Sequence, residues 1–254
     1  MNLVKLHIKE NLSKASFVIF GIIGILITAF VSSSINLSAP GVSSNSEYSK
    51  YAIAWTITNM LASLAAITLS MGSFRKHLSS GLVDILKVHG KSLDEQSSDI
   101  IKADVIISLI MGLVLLIGMV INILINQPSI SIIGFFLAIA VYQLSILTSS
   151  IVMSSFNLIL PPAPAALFGV FFIIVGAMRG IFQFMVEMTG GVFARVMVYI
   201  LNIFPPISVF GEIERDLFFG DFTNFRGLIH SLVYLWILFG ILYLIKKWRV
   251  SHEG

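Results

Sequence analysis

Apolar and polar positions alternate along this chain in long blocks rather than residue by residue. Predominantly apolar, uncharged runs cover residues 17–37, 51–74, 105–125, 130–156, 165–178 and 228–245. A hydrocarbon core about 30 Å thick takes roughly 20 apolar residues of helix to cross. The pattern therefore predicts an all-α, polytopic membrane protein with six transmembrane helices. The runs are too long for strands, and the roughly ten-residue alternation of a membrane barrel is missing. The runs are bounded by charges or by turn residues. Arg75-Lys76-His77 ends the second run, Asn126-Gln127-Pro128 the third, and Lys246-Lys247-Trp248-Arg249 the sixth; Pro161, Pro162 and Pro164 precede the fifth. Residues 1–254 read as a single domain, because no linker sets off a soluble part and no inverted repeat is visible. A cleaved signal peptide ending at Val31-Ser32-Ser33 is the rival reading of the first run. Its apolar region would stand at the long end of the usual range of about 7–15 residues, so an uncleaved first helix is preferred.

Shorter patterns lie between the runs. Leu78, Leu82, Ile85, Leu86 and His89 fall on one helical stripe, with Lys76, Asp84, Lys87 and Lys91 opposite. Such a helix either lies on lipid headgroups or seats its apolar stripe in a groove of a soluble partner; periodicity favours neither. Ser92-Leu93-Asp94-Glu95 has the form of a capping box and predicts a helix that feeds into the third crossing. Val4, Ile8 and Leu12 share a stripe beside Lys5 and Lys9, so residues 1–14 read as an interfacial helix or as a plain charged flank.

The run 165–178 is too short to cross unless its helix continues past Arg179 through Phe182, Phe184 and Met185. Gly190-Gly191 breaks the chain, and the block 192–204, which contains Arg195, reads as re-entrant or interfacial on the outer side. The cluster Glu212, Glu214, Asp216 and Asp221, with Arg215 among it, follows on the same side. Arg179, Glu187 and Arg195 either snorkel or pair structurally, or they line a substrate path.

Composition closes off the soluble alternatives. Of 254 residues, 57% are hydrophobic and 11% charged, where soluble domains carry about 25% charged residues; the mean hydropathy is +0.96. An ordinary cytosolic enzyme and a disordered tail are excluded. The net charge of +3 does not point to nucleic acid, because most basic residues mark one face. Lys5, Lys9 and Lys14, then Arg75, Lys76, Lys87, Lys91 and Lys102, then Lys246, Lys247 and Arg249 place both termini and the 75–104 loop in the cytoplasm.

Catalytic constellations are missing. Cysteine is absent, which excludes disulfides, a thiolate nucleophile and Cys-ligated metal. His7, His77, His89, His230 and His252 are scattered, with no H-E-x-x-H and no G-x-S-x-G in the chain. Gly90-Lys91-Ser92 looks like the end of a phosphate-binding loop, but Ile85 stands where the first glycine is required. No catalytic residue, metal ligand or cofactor is expected of this chain, and nucleotide hydrolysis would belong to another polypeptide.

At the loop after the second run, the chain resembles the type 2 ATP-binding cassette exporter permeases. Gly81, Asp84, the pair Ile85-Leu86 and Ser92 match that family's loop motif, while His77, Leu82, Gly90 and Leu93 depart from it. Phe204-Pro205-Pro206-Ile207-Ser208-Val209-Phe210 is similar to the proline-bearing segment those permeases carry before their last helix. The resemblance implies an N-terminal interfacial helix, a cytoplasmic coupling helix within 75–104 and extracellular re-entrant helices between helices 5 and 6, within 179–226. It implies coupling to an ATPase through Leu78, Gly81, Leu82, Asp84, Ile85, Leu86 and His89, and a gate or substrate path near Arg179, Glu187, Arg195, Pro205 and Pro206. The partners it implies are a cytosolic ATP-binding cassette ATPase, which would carry the ATP and Mg, and a second copy or sister permease. The expected function is export of a peptide, toxin, antibiotic or lipid-like molecule across a bacterial cytoplasmic membrane. Few polar residues occur mid-helix (Thr56, Thr58, Asn59, Gln143), which favours amphipathic or apolar cargo. The alternative is a membrane-embedded immunity or sensor protein that binds its ligand without transport; a membrane enzyme ranks last.

Overall fold

A computed structural model describes residues 3–34, 47–79 and 81–253, and all its regular elements are helices. Of the polar stretch 38–50 between the first two apolar runs, residues 38–46 lie outside the described residues and 47–50 open the next helix. Helix α1 (Leu3–Leu12) meets α2 (Ala15–Ser34) at a bend of 59°. Helix α3 (Glu47–Ser70) turns at Gly72, φ +71°, into α4 (Ser73–Ser79). Then follow α5 (Leu82–Val88), α6 (Leu93–Asn126) and α7 (Ile132–Ile159).

The predicted caps of α6 are present. Ser92 Oγ accepts from the Glu95 amide at 3.2 Å, and the Glu95 carboxylate accepts from the Ser92 amide at 3.0 Å. At the far end Gln127, φ 46°, closes the helix in the left-handed region, its amide donating to the Ile123 carbonyl at 2.8 Å. At 34 residues α6 is about 51 Å long, so its first turns extend beyond any hydrocarbon core.

Helix α8 (Pro162–Ala177) takes in Pro162 and Pro164, which the sequence placed before the fifth run, since the fixed φ of proline suits a first turn. The helix does not run straight past Arg179: it ends at Met178, and α9 (Arg179–Thr189) begins anew. Gly190 and Gly191, at φ +67° and +79°, break the chain before α10 (Gly191–Leu201). Two further helices complete the fold, α11 (Ile207–Phe218) and α12 (Phe225–Glu253).

Four stretches are long and apolar enough to cross a membrane: Glu47–Leu78, Leu93–Asn126, Ile132–Ile159 and Phe225–His252. The bent α1–α2 pair makes a fifth if it counts as one span. Helix α8, with 16 residues, is about 24 Å long and falls short. The structure thus supports four to five of the six expected crossings. These lengths and apolar surfaces are those of a membrane-embedded bundle.

Helix α7 is the axis of that bundle and packs against α3, α6, α8, α11 and α12. Trp55, Met111, Leu115, Tyr142, Ile146 and Phe218 fill the main core. Lipid tails are as apolar as leucine, so helices in a bilayer hold together through close packing and polar contacts. Both are present. Ser63 and Ser149 share a hydrogen bond of 2.7 Å between α3 and α7, and Tyr142 Oη donates to the Gly112 carbonyl at 3.2 Å. Between α6 and α2, Asn122 Nδ2 donates to the Ala29 carbonyl at 3.0 Å.

Most of the basic residues gather at one end of the bundle. Lys76 of α4 pairs with Glu10 of α1, Lys91 with Asp99 at 2.6 Å, and Lys246 of α12 with Asp94 of α6 at 2.9 Å. At the other end the start of α3 meets the α11–α12 turn, where Tyr48 donates to Asp216. There too the Ser131 amide donates to the Phe218 carbonyl at 3.0 Å.

Candidate functional site

The loop between α3 and α6 folds as two short helices rather than one amphipathic helix, because Gly81 sits at φ +70° between them. Its hinge on α3 is clamped from two sides. Asn157 of α7 donates to the Ser70 carbonyl at 2.8 Å, and Ser73 Oγ donates to buried Asp104 of α6 at 2.6 Å. One residue of α6 holds both loop helices. Gln96, fully buried, donates to the carbonyls of Val83 at 3.3 Å and Lys91 at 2.9 Å, and its oxygen meets His77 Nε2 at 2.8 Å.

The expected coupling stripe is split by this arrangement. Leu86 is buried with Leu3, Phe74 and Ile100, and Leu78 and Leu82 pack against the same cluster. These side chains anchor the loop to the bundle, Leu86 buried and Leu78 and Leu82 half-buried. The outward face carries Asp84, Ile85, Lys87, Val88 and His89, with Ile85 57% and Val88 86% exposed. Val88 was not among the residues expected to couple; it lies one turn from Asp84 and next to His89, on the side opposite the anchoring Leu86. The expected stripe divides because a seven-residue helix presents apolar groups on both sides, and spacing alone does not say which side the bundle covers.

The N-terminal stripe shifts in the same way. Leu3, His7 and Asn11 face inward along α6, while Val4 and Ile8 are half-buried and Leu12 is exposed. Hydrogen bonding from the Lys76 ammonium holds the Glu10 carboxyl below the usual carboxylate range. Glu10 therefore stays charged and ties α1 to the loop.

Among the described residues, those expected to form an outer gate differ in setting. Arg179 is buried, donating to Asn202 and meeting His230 Nε2 at 3.1 Å. Arg195 is exposed on α10, and the Glu187 side chain lies outside the described residues. Pro205 and Pro206 are buried where α11 meets α8; a Cβ on Gly176 would overlap the Pro205 carbonyl. The acidic cluster is not a solvated patch either. Glu214 is fully buried, and Asp216 accepts from Tyr48, Arg215 and Asn224. Asp221 is exposed in the turn, where Thr223 holds its carboxyl below the usual range. An apolar cavity of about 260 Å³ lies between α7, α11 and α12, lined by Leu137, Val141, Ile213, Leu217 and Phe225, with Asp216 and Asp221 at its edge.

No protein-family profile matches the chain, and no curated protein is significantly similar to it. Among the described residues no group of three or more His, Asp or Glu side chains is placed to hold a metal ion.

Sequence reasoning passed over Gln96, Asp104 and Asn157. Each is a polar residue on a buried helix face. Gln96 falls between Leu93 and Ile100, both buried, at the three- and four-residue spacing of one stripe. A polar side chain at a core-stripe position is the signal that marks such clamps.

Proposed function

We propose that this chain is the membrane-spanning subunit of an ATP-driven exporter, coupled through α5 to a separate cytosolic ATPase. The observation that carries the reading is the α4–α5 elbow: two apolar side chains, Ile85 and Val88, stand exposed on a loop that Gln96, Leu86 and the Ser92–Glu95 cap lock to the bundle. An anchored apolar face among Asp84, Lys87 and His89 suits a partner groove with a polar rim. Rigid anchorage lets a push on α5 reach α3 and α6. ATP can drive transport only if the two membrane conformations contact the nucleotide-bound ATPase unequally. In this reading the end bearing α1, α4, α5 and the C-terminus is cytoplasmic, and α8 with α9 completes six crossings. The short helices α10 and α11 then form a re-entrant outer gate, and the cargo is amphipathic.

Two substitutions test it. Ile85→Glu and Val88→Glu should weaken co-purification with the ATPase by about tenfold or more, the equivalent of roughly 1.4 kcal/mol, while thermal unfolding of the isolated chain is unchanged. Recovery of the native chain without any ATPase, or undiminished capture by both variants, would overturn the assignment and leave a binding protein that does not transport.

A further inference from the structure

Helix α11 is wedged between α3 and α7 by backbone contact on both sides. A Cβ on Gly211 would overlap Thr56 of α3, and one on Gly134 of α7 would overlap the Leu217 carbonyl. Inside this wedge sits Glu214, with none of its surface exposed. One carboxyl oxygen accepts a 2.6 Å hydrogen bond from Asn59 Nδ2, while Nδ2 also donates to the Trp55 carbonyl at 3.1 Å. The other carboxyl oxygen has no partner among the described residues, and neither has Asn59 Oδ1.

Among the described residues no counter-charge faces Glu214 from the elements packed on α11, which are α3, α7, α8, α9 and α12; Lys50 of α3 stands more than two turns from Asn59, towards the start of that helix. From α3 it meets Asn59, while Tyr48 lies further along against Asp216. Tyr142, the sole ionisable side chain of α7, is within electrostatic reach but carries no charge. Helix α8 has no ionisable residue. Arg179 of α9 and His230 of α12 are engaged with one another, and Arg226 is exposed. On α11 itself Arg215 pairs with Asp216 at 2.6 Å, and Glu212 points outward. Taking a carboxylate out of water costs several kcal/mol and demands an opposite charge or several donors. One amide N–H does not supply that, whereas a neutral acid needs far less.

We infer that Glu214 is a proton-binding site whose occupancy controls the seating of α11 between α3 and α7. Seated, it is the neutral acid. When α11 lifts and water enters, the O–H bond breaks, the electron pair stays on the carboxylate, and water takes the proton. Return of α11 requires the proton back. The direction with pH follows: seating is strongest in acid and weakens as pH rises, by at most about tenfold per pH unit for a single proton. The inference does not rest on the exporter reading, since it concerns only the wedge and its carboxyl.

Trp55 supplies the probe. Its ring lies 6.1 Å from those of Phe218 on α11 and Tyr142 on α7. The chain has three tryptophans, and the other two, Trp236 and Trp248, are exposed and replaceable by Phe. In the Trp236→Phe, Trp248→Phe protein in lipid nanodiscs, Trp55 emission should shift to the red between mildly acid and alkaline pH. Glu214→Gln, which keeps the bond to Asn59, should hold the acid-form emission throughout. Infrared difference spectra should show a protonated-carboxyl band at acid pH that fades in step with the shift and is missing from Glu214→Gln. A pH-independent Trp55 emission, or an equal shift in Glu214→Gln, would reduce Glu214 to a structural group. An ionised Glu214 in the seated protein would also overturn the inference. The infrared reading on the native side chain decides even if the variant does not fold.

Discussion

Gly134 shows how much of this bundle is set at single residues. It sits on α7 under the Leu217 carbonyl of α11, and any side chain there forces the two backbones apart. Gly134→Ala should destabilise the fold by about 1–3 kcal/mol, the usual cost of overpacking, seen as a lower unfolding temperature in detergent. Gly240, exposed on α12 with open space around it, is the control: Gly240→Ala should leave stability unchanged or slightly raised. Nothing in the sequence separates these two glycines, since both lie inside apolar helices and the difference depends on what packs opposite. Glu214 and Asn59 pose the same problem. Each was visible as a polar residue, one in an acidic cluster and one in an apolar run, but their meeting across 155 positions of sequence was not.

Features with a local cause were legible at the scale of the element. The capping box at Ser92 and Glu95, the turn at Gln127, the proline start of α8 and the Gly190-Gly191 break all appear where neighbouring residues dictate them. Ser92→Ala should remove the first-turn cap and cost about 1 kcal/mol. Because α6 carries Gln96 just inside that turn, hydrogen exchange of α5 should rise with that of the α6 terminus. Unchanged α5 protection would show that Gln96 holds the loop without the cap. What local pattern did not settle was the direction of an amphipathic face. On α1 the buried stripe is Leu3, His7 and Asn11, two of them polar, because α1 lies along α6 rather than on lipid alone. On α5 the apolar residues divide between anchor and exposed face. Periodicity reports that a helix has sides; the neighbouring elements decide which side is covered.

For the whole molecule, the grouping of most basic residues at one end gives a testable arrangement. The chain has no cysteine, so single cysteines can be introduced without background. Val88→Cys and Ser251→Cys should label from the same side of sealed vesicles, and Thr223→Cys from the opposite side. Labelling of Thr223→Cys together with Val88→Cys would dismiss the proposed sidedness. A cysteine near the α9–α10 break tests the short segment: accessibility from the side of Thr223 alone fits a crossing completed by α8 and α9. Helix α3 carries one more consequence, for how the protein is made. It is the least apolar of the four candidate spans, and its inward face bears Thr58, Asn59, Ser63 and Ser70. Thr58 and Ser70 bond within α3, to the carbonyls of Ala54 and Ala66, but the cross-helix partners of Ser63 and Asn59, Ser149 of α7 and Glu214 of α11, lie far downstream, so a nascent chain halted after α3 leaves those two without them. Biogenesis must therefore keep this helix beside the insertion machinery until α7 has been synthesised, and truncations that end before residue 159 should be degraded rather than accumulate in the bilayer.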